Sequence, residues 1–346
     1  MSEKTAQLVP VSETPLPAHL VAGAKSYMAV ARAKRTREAY ARAWAFFIAW
    51  CKANGRQPLP ALPETLAAWM TALADGDQGP PRARRTINQY LSAVIVAHRT
   101  AGFPFDRKHP LIAETWRGIS NAKAKTEVDR AARPLVSIDL RDLLRGLRLD
   151  IPADARDAAL LSVGWAAALR RSELVGLDWQ KLGDGTGFVI VDERGVVVTL
   201  AQSKSSQAEA VTVVIPSADM PTACAALEAW ADVAKLDPGQ PVFRPVNQRQ
   251  IIGEGRLTDR SVARIVKSRL HALLRLRGKT KAEAHELVAR FSGHSMRAGY
   301  VTSGAAMDIP SYRLQQHARH KSSAMVAVYV REAEKWTKSG LKGIGF

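Results

Sequence analysis

The sequence predicts a mainly α-helical protein of two domains with one small antiparallel β-sheet. Three observations carry this. Apolar residues recur at helical spacing along most of the chain, and alternating β-branched residues are confined to 188–216. At 346 residues the chain also exceeds the usual size of one domain, and a charged, proline-ended stretch at 122–134, AKAKTEVDRAARP, divides it.

Residues 1–25 contain Pro10, Pro15 and Pro17 with little periodicity and read as a flexible arm. From Thr36, Tyr40, Trp44, Phe47, Ile48 and Cys51 form the apolar stripe of a first helix, closed by Gly55. Pro63 opens a second, with Leu66, Met70 and Leu73 inward. A third spans Arg84 to Thr100, with Ile87, Leu91, Val94 and His98 on one side, and a fourth spans Leu111 to Asn121. Residues 26–121 thus make a helical bundle.

The domain from 135 to 346 opens with Ser137 as N-cap of a helix carrying Leu140, Leu143, Leu144 and Leu147. AALLSVGWAAAL at 158–169 follows as a buried core helix, too short to span a membrane. Strands are expected at 188–191, 196–200 and 211–216, with a turn at Asp192 to Gly195 and Lys204 in the loop between the last two. Further helices run from about Ala218 to Ala234 and from Leu257 to Leu276.

Fifty Lys and Arg against thirty-two Asp and Glu give a formal charge of +18, which points to a polyanionic partner, nucleic acid before a membrane surface. Residues 1–130 hold nineteen basic against ten acidic residues and the remainder thirty-one against twenty-two. Both parts are equally basic, so both are expected to touch the polymer. Arg35, Arg37 and Arg42 before and along the first helix, and Arg82, Arg84, Arg85, Asn88 and Gln89 at the start of the third, are side chains suited to phosphates and base edges. Arg260 and Arg264 add charges of the same kind near the start of the helix from Leu257 and are candidate DNA contacts.

Cys51 and Cys224 lack metal spacing and read as reduced core residues. No secretory h-region is apparent, so a cytoplasmic location is expected. Gly278-Lys279-Thr280 is not a phosphate loop, because Leu273 stands where the first glycine belongs. His317 and His320 lack a third ligand. Neither a cofactor nor a metal is expected.

The chemistry concentrates in FSGHSMRAGYVTSGAAMDIPSYRLQQHARHKSSAMVAVYVR, residues 291–331. His294 and Arg297 lie three residues apart, His320 twenty-three beyond the arginine, and Tyr329 nine beyond that. Arginine fits a phosphate with a planar donor fork, histidine moves protons near neutrality, and a tyrosine hydroxyl can attack phosphorus. The pattern resembles the tyrosine recombinases of the lambda-integrase family, with the SGHS-x-R wording nearest the Cre-like members.

That resemblance implies more. In ALRRSEL, Arg170 takes the place of the first catalytic arginine and Glu173 that of the acidic residue behind it, with Ala168 where a glycine is common. Lys204 takes the place of the hairpin lysine, a general acid, and Arg260 that of a base-reading arginine. The implied architecture is an N-terminal core-binding bundle and a C-terminal catalytic domain in a C-shaped clamp on DNA. The implied reaction is site-specific recombination through a 3′-phosphotyrosyl link and a Holliday junction. Double-stranded DNA with inverted-repeat arms is the expected partner, and the tail bearing Trp336, Leu341, Ile344 and Phe346 the element that joins a cyclic tetramer. A type IB topoisomerase, a telomere resolvase, an idle DNA-binding protein and a metal-dependent nuclease remain as rivals.

Overall fold

Phe47, Leu66, Trp69, Met70, Ile87 and Leu91 have almost no exposed surface, and around them the first third of the chain folds as helices. The structure, a computed structural model, describes residues 17–30, 34–77, 79–126, 132–201 and 210–334. By its contacts the chain divides into Met1–Asp129 and Arg130–Phe346. The first unit holds α1 (Ala18–Val30), α2 (Lys34–Ala53), α3 (Pro63–Asp75), α4 (Arg84–Thr100) and α5 (Pro110–Thr126).

Helix α1 occupies a stretch expected to be part of the arm. It begins after Pro17 in an alanine-rich run whose helix propensity is high, although its apolar residues form no clear stripe. In α2, Phe47 and Cys51 face inward as expected, but Trp50 joins them and Ile48 is 40% exposed. At about 100° per residue, Ile48 sits a quarter turn from Phe47, whereas Trp50 returns to within about 60° of it. The Phe47 and Trp69 rings lie 4.6 Å apart, tilted. His98, on the inner face of α4, is fully satisfied: its Nε2 accepts the Ala61 N–H at 2.9 Å and its Nδ1 meets the Val94 carbonyl at 2.8 Å. Helix α5 runs five residues past the expected end, because Ala122, Lys123, Ala124 and Lys125 all favour helix.

The second unit begins with α6 (Ser137–Arg145), α7 (Pro152–Ala166) and the short α8 (Arg171–Val175). Ser137 is not the N-cap: Val136 holds that position without a side-chain cap. The Ser137 N–H donates instead to the Ser303 hydroxyl at 2.9 Å. Helix α7 is buried along almost its whole length. The sheet has the order β1-β2-β3-β4, with β1 (Leu177–Trp179), β2 (Gly187–Asp192), β3 (Gly195–Leu200) and β4 (Val211–Pro216). Strands β2, β3 and β4 pair antiparallel as expected, with Asp192 opposite Gly195 across the turn. The unforeseen β1 adds a parallel edge; three residues are too few to show alternation.

Then come α9 (Pro221–Ala234), α10 (Asp259–Leu276), α11 (Lys281–Ala289), α12 (Ser295–Ala306), α13 (Ser311–Ala318) and α14 (Ser323–Glu334). Helix α7 lies at the centre, packed on α9 and α12. Thr258 caps α10, its hydroxyl accepting the Ser261 N–H. The Gly278-Lys279-Thr280 run is a helix junction: Gly278 follows α10 with φ 82°, and Thr280 forms a capping box with Glu283 at the start of α11. Charges on the inner side of α10 are paired with α7, where the Asp157 carboxylate receives Arg156 at 2.6 Å and Arg269 at 2.6 Å.

Helix α12 is held against the entry segment. The Leu135 N–H donates to the Ser295 carbonyl at 2.9 Å, and the Leu135 carbonyl accepts the Trp165 indole at 2.8 Å. A Cβ on Gly299 would stand 1.7 Å from that carbonyl oxygen, so only glycine fits. Cys51 and Cys224 are buried free thiols. Among the described residues no helix is long and apolar enough to cross a membrane.

Candidate active site

Helix α7 ends at a tight turn, and that turn organises the site. Ala168 has φ 46°, a left-handed backbone that costs a non-glycine residue about 1 kcal/mol. Its carbonyl accepts Nη1 of Arg297 at 3.0 Å and Nη2 of Arg319 at 2.9 Å. Two residues on, Arg170 sits at the N-cap of α8, its backbone N–H donating to Glu173 Oε2 at 2.9 Å while its Nη1 pairs with Glu173 Oε1. Burial raises the Glu173 carboxyl, but the Arg170 N–H and the Arg319 and Arg170 guanidiniums together hold it below its ordinary value.

Arg297, on α12, is 1% exposed. Its Nε donates to His320 Nε2 at 3.2 Å, and its Nη2 is buried without a hydrogen-bond partner. Burial, then the charges of Arg170 and Arg319, push this guanidinium down to about 9. It is still a cation at neutral pH. Burial, then Arg297 and the other nearby positive groups, push His320 down to about 4. A neutral ring that accepts at Nε2 carries its proton on Nδ1, and that atom too is buried and unpartnered. The Tyr329 ring, on α14, lies parallel to His320 with centroids 6.2 Å apart. Burial raises its hydroxyl above the ordinary phenol value, partly offset by Arg297.

His294 is the N-cap of α12 and is exposed. Desolvation on its inward side, then Arg297, Arg170 and Arg171, lower its pKa, so the ring is neutral and able to accept a proton. His317 is engaged elsewhere, its Nε2 2.6 Å from the Ala166 carbonyl and its ring stacked on Tyr300.

The structure therefore brings Arg170, Glu173, His294, Arg297, His320 and Tyr329 into one cluster. Lys204 lies outside the described residues; the strand ends that flank its loop, Leu200 and Val211, pair in register. Sequence reading missed Arg319. Between two histidines in a basic chain it looks like one more surface charge, and nothing in the spacing marks its left-handed backbone, φ 53°, or its burial.

Of the candidate DNA contacts in the first unit, Arg37, Arg42, Arg85 and Gln89 are exposed, and Arg82, Arg84 and Asn88 half-buried. On α4, Arg85 and Gln89 lie opposite the buried Ile87, Leu91 and Val94, with Arg84 and Asn88 on the flanks. Asn88 accepts from Arg107 at 2.5 Å, a contact not foreseen. The Arg35 side chain lies outside the described residues. In the second unit Arg260 and Arg264 are exposed on α10, and Arg264 also donates to the Ser261 hydroxyl at 2.8 Å. Among the described residues no group of His, Cys, Asp and Glu is placed to hold a metal ion. A groove of about 1050 Å³ runs between α6, β4 and α12, lined by Leu140, Leu144, Val214, Met220 and Tyr300 among others.

The chain is similar to known proteins along most of its length. Residues 139–335 match the phage integrase family. An integrase/recombinase xerD homolog of Selenomonas ruminantium is 31% identical over 323 residues, 92% of this chain and 87% of that protein. The recombinase cre of Escherichia phage P1 is 23% identical over 305 residues, 86% of this chain and 82% of that one. Two solved structures share the fold. The Tn1549 transposon integrase in complex with transposon right end DNA has a TM-score of 0.57 at 13% identity, covering 92% of this chain and 98% of that one. A lambda integrase dimer bound to a core site has a TM-score of 0.51 at 15% identity, covering 90% and 93%. Likeness to the Selenomonas protein along almost the whole length, with the family match over most of the second unit, establishes that the chain belongs to the phage integrase family and is a tyrosine recombinase.

Proposed function

We propose that the protein recombines DNA at specific sites by cutting and rejoining strands at the cluster around Arg297. The observation that carries this reading is the pair of buried, unpartnered donors, Arg297 Nη2 and His320 Nδ1. Buried polar atoms are nearly always satisfied, and a non-bridging phosphate oxygen is the acceptor that suits both.

Arg170 and Arg297 clamp the phosphate oxygens, doing with fixed cations what a metal ion would otherwise do, and His320 adds a hydrogen bond. Glu173 orients the arginines. His294 takes the Tyr329 proton as the phenol oxygen attacks phosphorus; the bond to the 5′ oxygen breaks, and Lys204 protonates that oxygen as it leaves. The products are a 3′-phosphotyrosyl ester and a 5′ hydroxyl. The ester keeps the bond energy, so a 5′ hydroxyl of a second duplex reverses the step without ATP, and two rounds pass through a Holliday junction.

Two duplexes need four such sites, hence a cyclic tetramer on inverted-repeat arms. The apolar groove beside α6 has the chemistry to receive the apolar tail of a neighbouring copy. Both units contribute DNA contacts, the first through the arginines of α2 and α4 and the second through Arg260 and Arg264 of α10.

Incubation with sheared chromosomal DNA from its source, followed by denaturing extraction, tests the reading. The wild type leaves protein covalently attached at recurrent positions. Tyr329→Phe retains DNA in filter binding and yields no adduct; covalent DNA on that variant would eliminate Tyr329 as the nucleophile.

A further inference from the structure

Arg319 takes no part in the steps above, yet it is tied to the turn after α7 and to the Arg170–Glu173 pair at the start of α8. It occupies the C-cap of α13 in the left-handed region, φ 53° and ψ 45°, where glycine is the unstrained choice. Its side chain is only 12% exposed, so it is not an outward phosphate hook.

The guanidinium fans across three segments. Nη1 donates to the carbonyls of Ala167 at 3.1 Å and His317 at 2.9 Å. Nη2 reaches Ala167 at 3.2 Å, Ala168 at 2.9 Å and Glu173 Oε2 at 3.3 Å. In return the Arg319 carbonyl accepts from Arg170 Nη2 at 3.4 Å. Two of these partners are shared with the phosphate clamp. The Ala168 carbonyl also receives Arg297, and Glu173 also receives Arg170. Each clamp arginine thus leans on an acceptor that Arg319 fixes from the other side, and a planar five-donor fork is the side chain able to do this.

We propose that Arg319 is a positioning residue for strand cleavage, holding the Ala168 carbonyl and Glu173 so that Arg170 and Arg297 address one phosphate. The proposal rests on Tyr329 being the nucleophile.

Its role shows in the rate of the chemical step, not in binding. The experiment follows phosphotyrosyl formation in single turnover at saturating protein, on a duplex recovered from the trapping experiment. Arg319→Met is expected to lower that rate constant by about 10- to 100-fold, the range of losses from misplaced reacting groups, with DNA affinity within about threefold of wild type. Arg319→Lys recovers only part, because an ammonium lacks the fork. On a Glu173→Gln background Arg319→Met costs less than it does in the wild type, since the charged contact to Glu173 is already gone while the one to the Ala168 carbonyl remains to be lost.

The pH profile adds a readout that folding does not move. The groups facing Glu173 are Arg170 from its own turn, Arg319 from the end of α13 and Arg297 from α12. The Arg319 charge helps to hold down both the Glu173 carboxyl and the His320 imidazole, so its loss raises both, and the acid limb of the rate profile, set by these groups together with His294, steepens and shifts to higher pH. A wild-type rate constant and profile in Arg319→Met and Arg319→Lys, with only a lowered Tm, would make Arg319 a structural cap and overturn the proposal. If the wild type itself forms no adduct, the Tyr329 reading falls first and this proposal with it.

Discussion

Ala168 and His320 show how single residues set the site's geometry and charge. The Ala168 carbonyl binds two buried guanidiniums only while the turn keeps its left-handed form. A β-branched side chain resists that form and has no room in a position with no exposed surface. Ala168→Val is therefore expected to lose about 2–4 kcal/mol of stability, read as a lower urea midpoint. His320 sets a pH limit. Its folded value near 4 lies below the ordinary 6.5 of a free histidine, so between those values the unfolded chain binds more protons. Stability is then full above about pH 6.5 and falls towards pH 4, by about 3 kcal/mol at most from this residue. His294 and His317 are lowered too and add to the slope; Glu173 adds its loss only below the ordinary carboxylate range. His320→Gln, which keeps an acceptor for Arg297 but does not titrate, should show a visibly smaller loss of urea stability between pH 7 and pH 5. An unchanged loss would remove His320 from that account.

Among the elements, α4 was legible to the residue at both ends, because Ile87, Leu91, Val94 and His98 recur cleanly and all are buried. The reading failed where periodicity carries no information. Helix α1 has no clear stripe, β1 has three residues, and the start of α6 depends on a hydroxyl 166 residues away. The candidate cluster was legible because its groups sit at fixed separations along the chain; Arg319 was hidden because its hydrogen-bond acceptors are ones that folding brings to it. Arg269 reads as part of the basic face of α10, but it turns inward to Asp154 and Asp157 at 2.6 Å each. Asp157→Ala would leave Arg156 and Arg269 facing each other in the interior. A loss of about 3–5 kcal/mol follows, and a thermal midpoint within a degree or two of wild type would show that the network contributes little.

For the whole molecule, +18 shared equally between the two parts implies that affinity for DNA is mostly counterion release. If six to ten phosphates are neutralised, binding weakens by about 10³–10⁵ between 50 and 200 mM salt. Filter binding across that range measures it, and a flat response would contradict DNA as the partner. The same electrostatics has a local form at the Ala168 turn. Among the described residues, Arg170, Arg297 and Arg319 gather around a single carboxylate, Glu173, while His320 stays neutral, which leaves two of these positive charges uncompensated. A phosphodiester at rest brings one negative charge, whereas the five-coordinate species through which it is cut carries two. The surplus thus balances the fleeting species better than the resting one, and stabilising the former selectively is what accelerates a reaction.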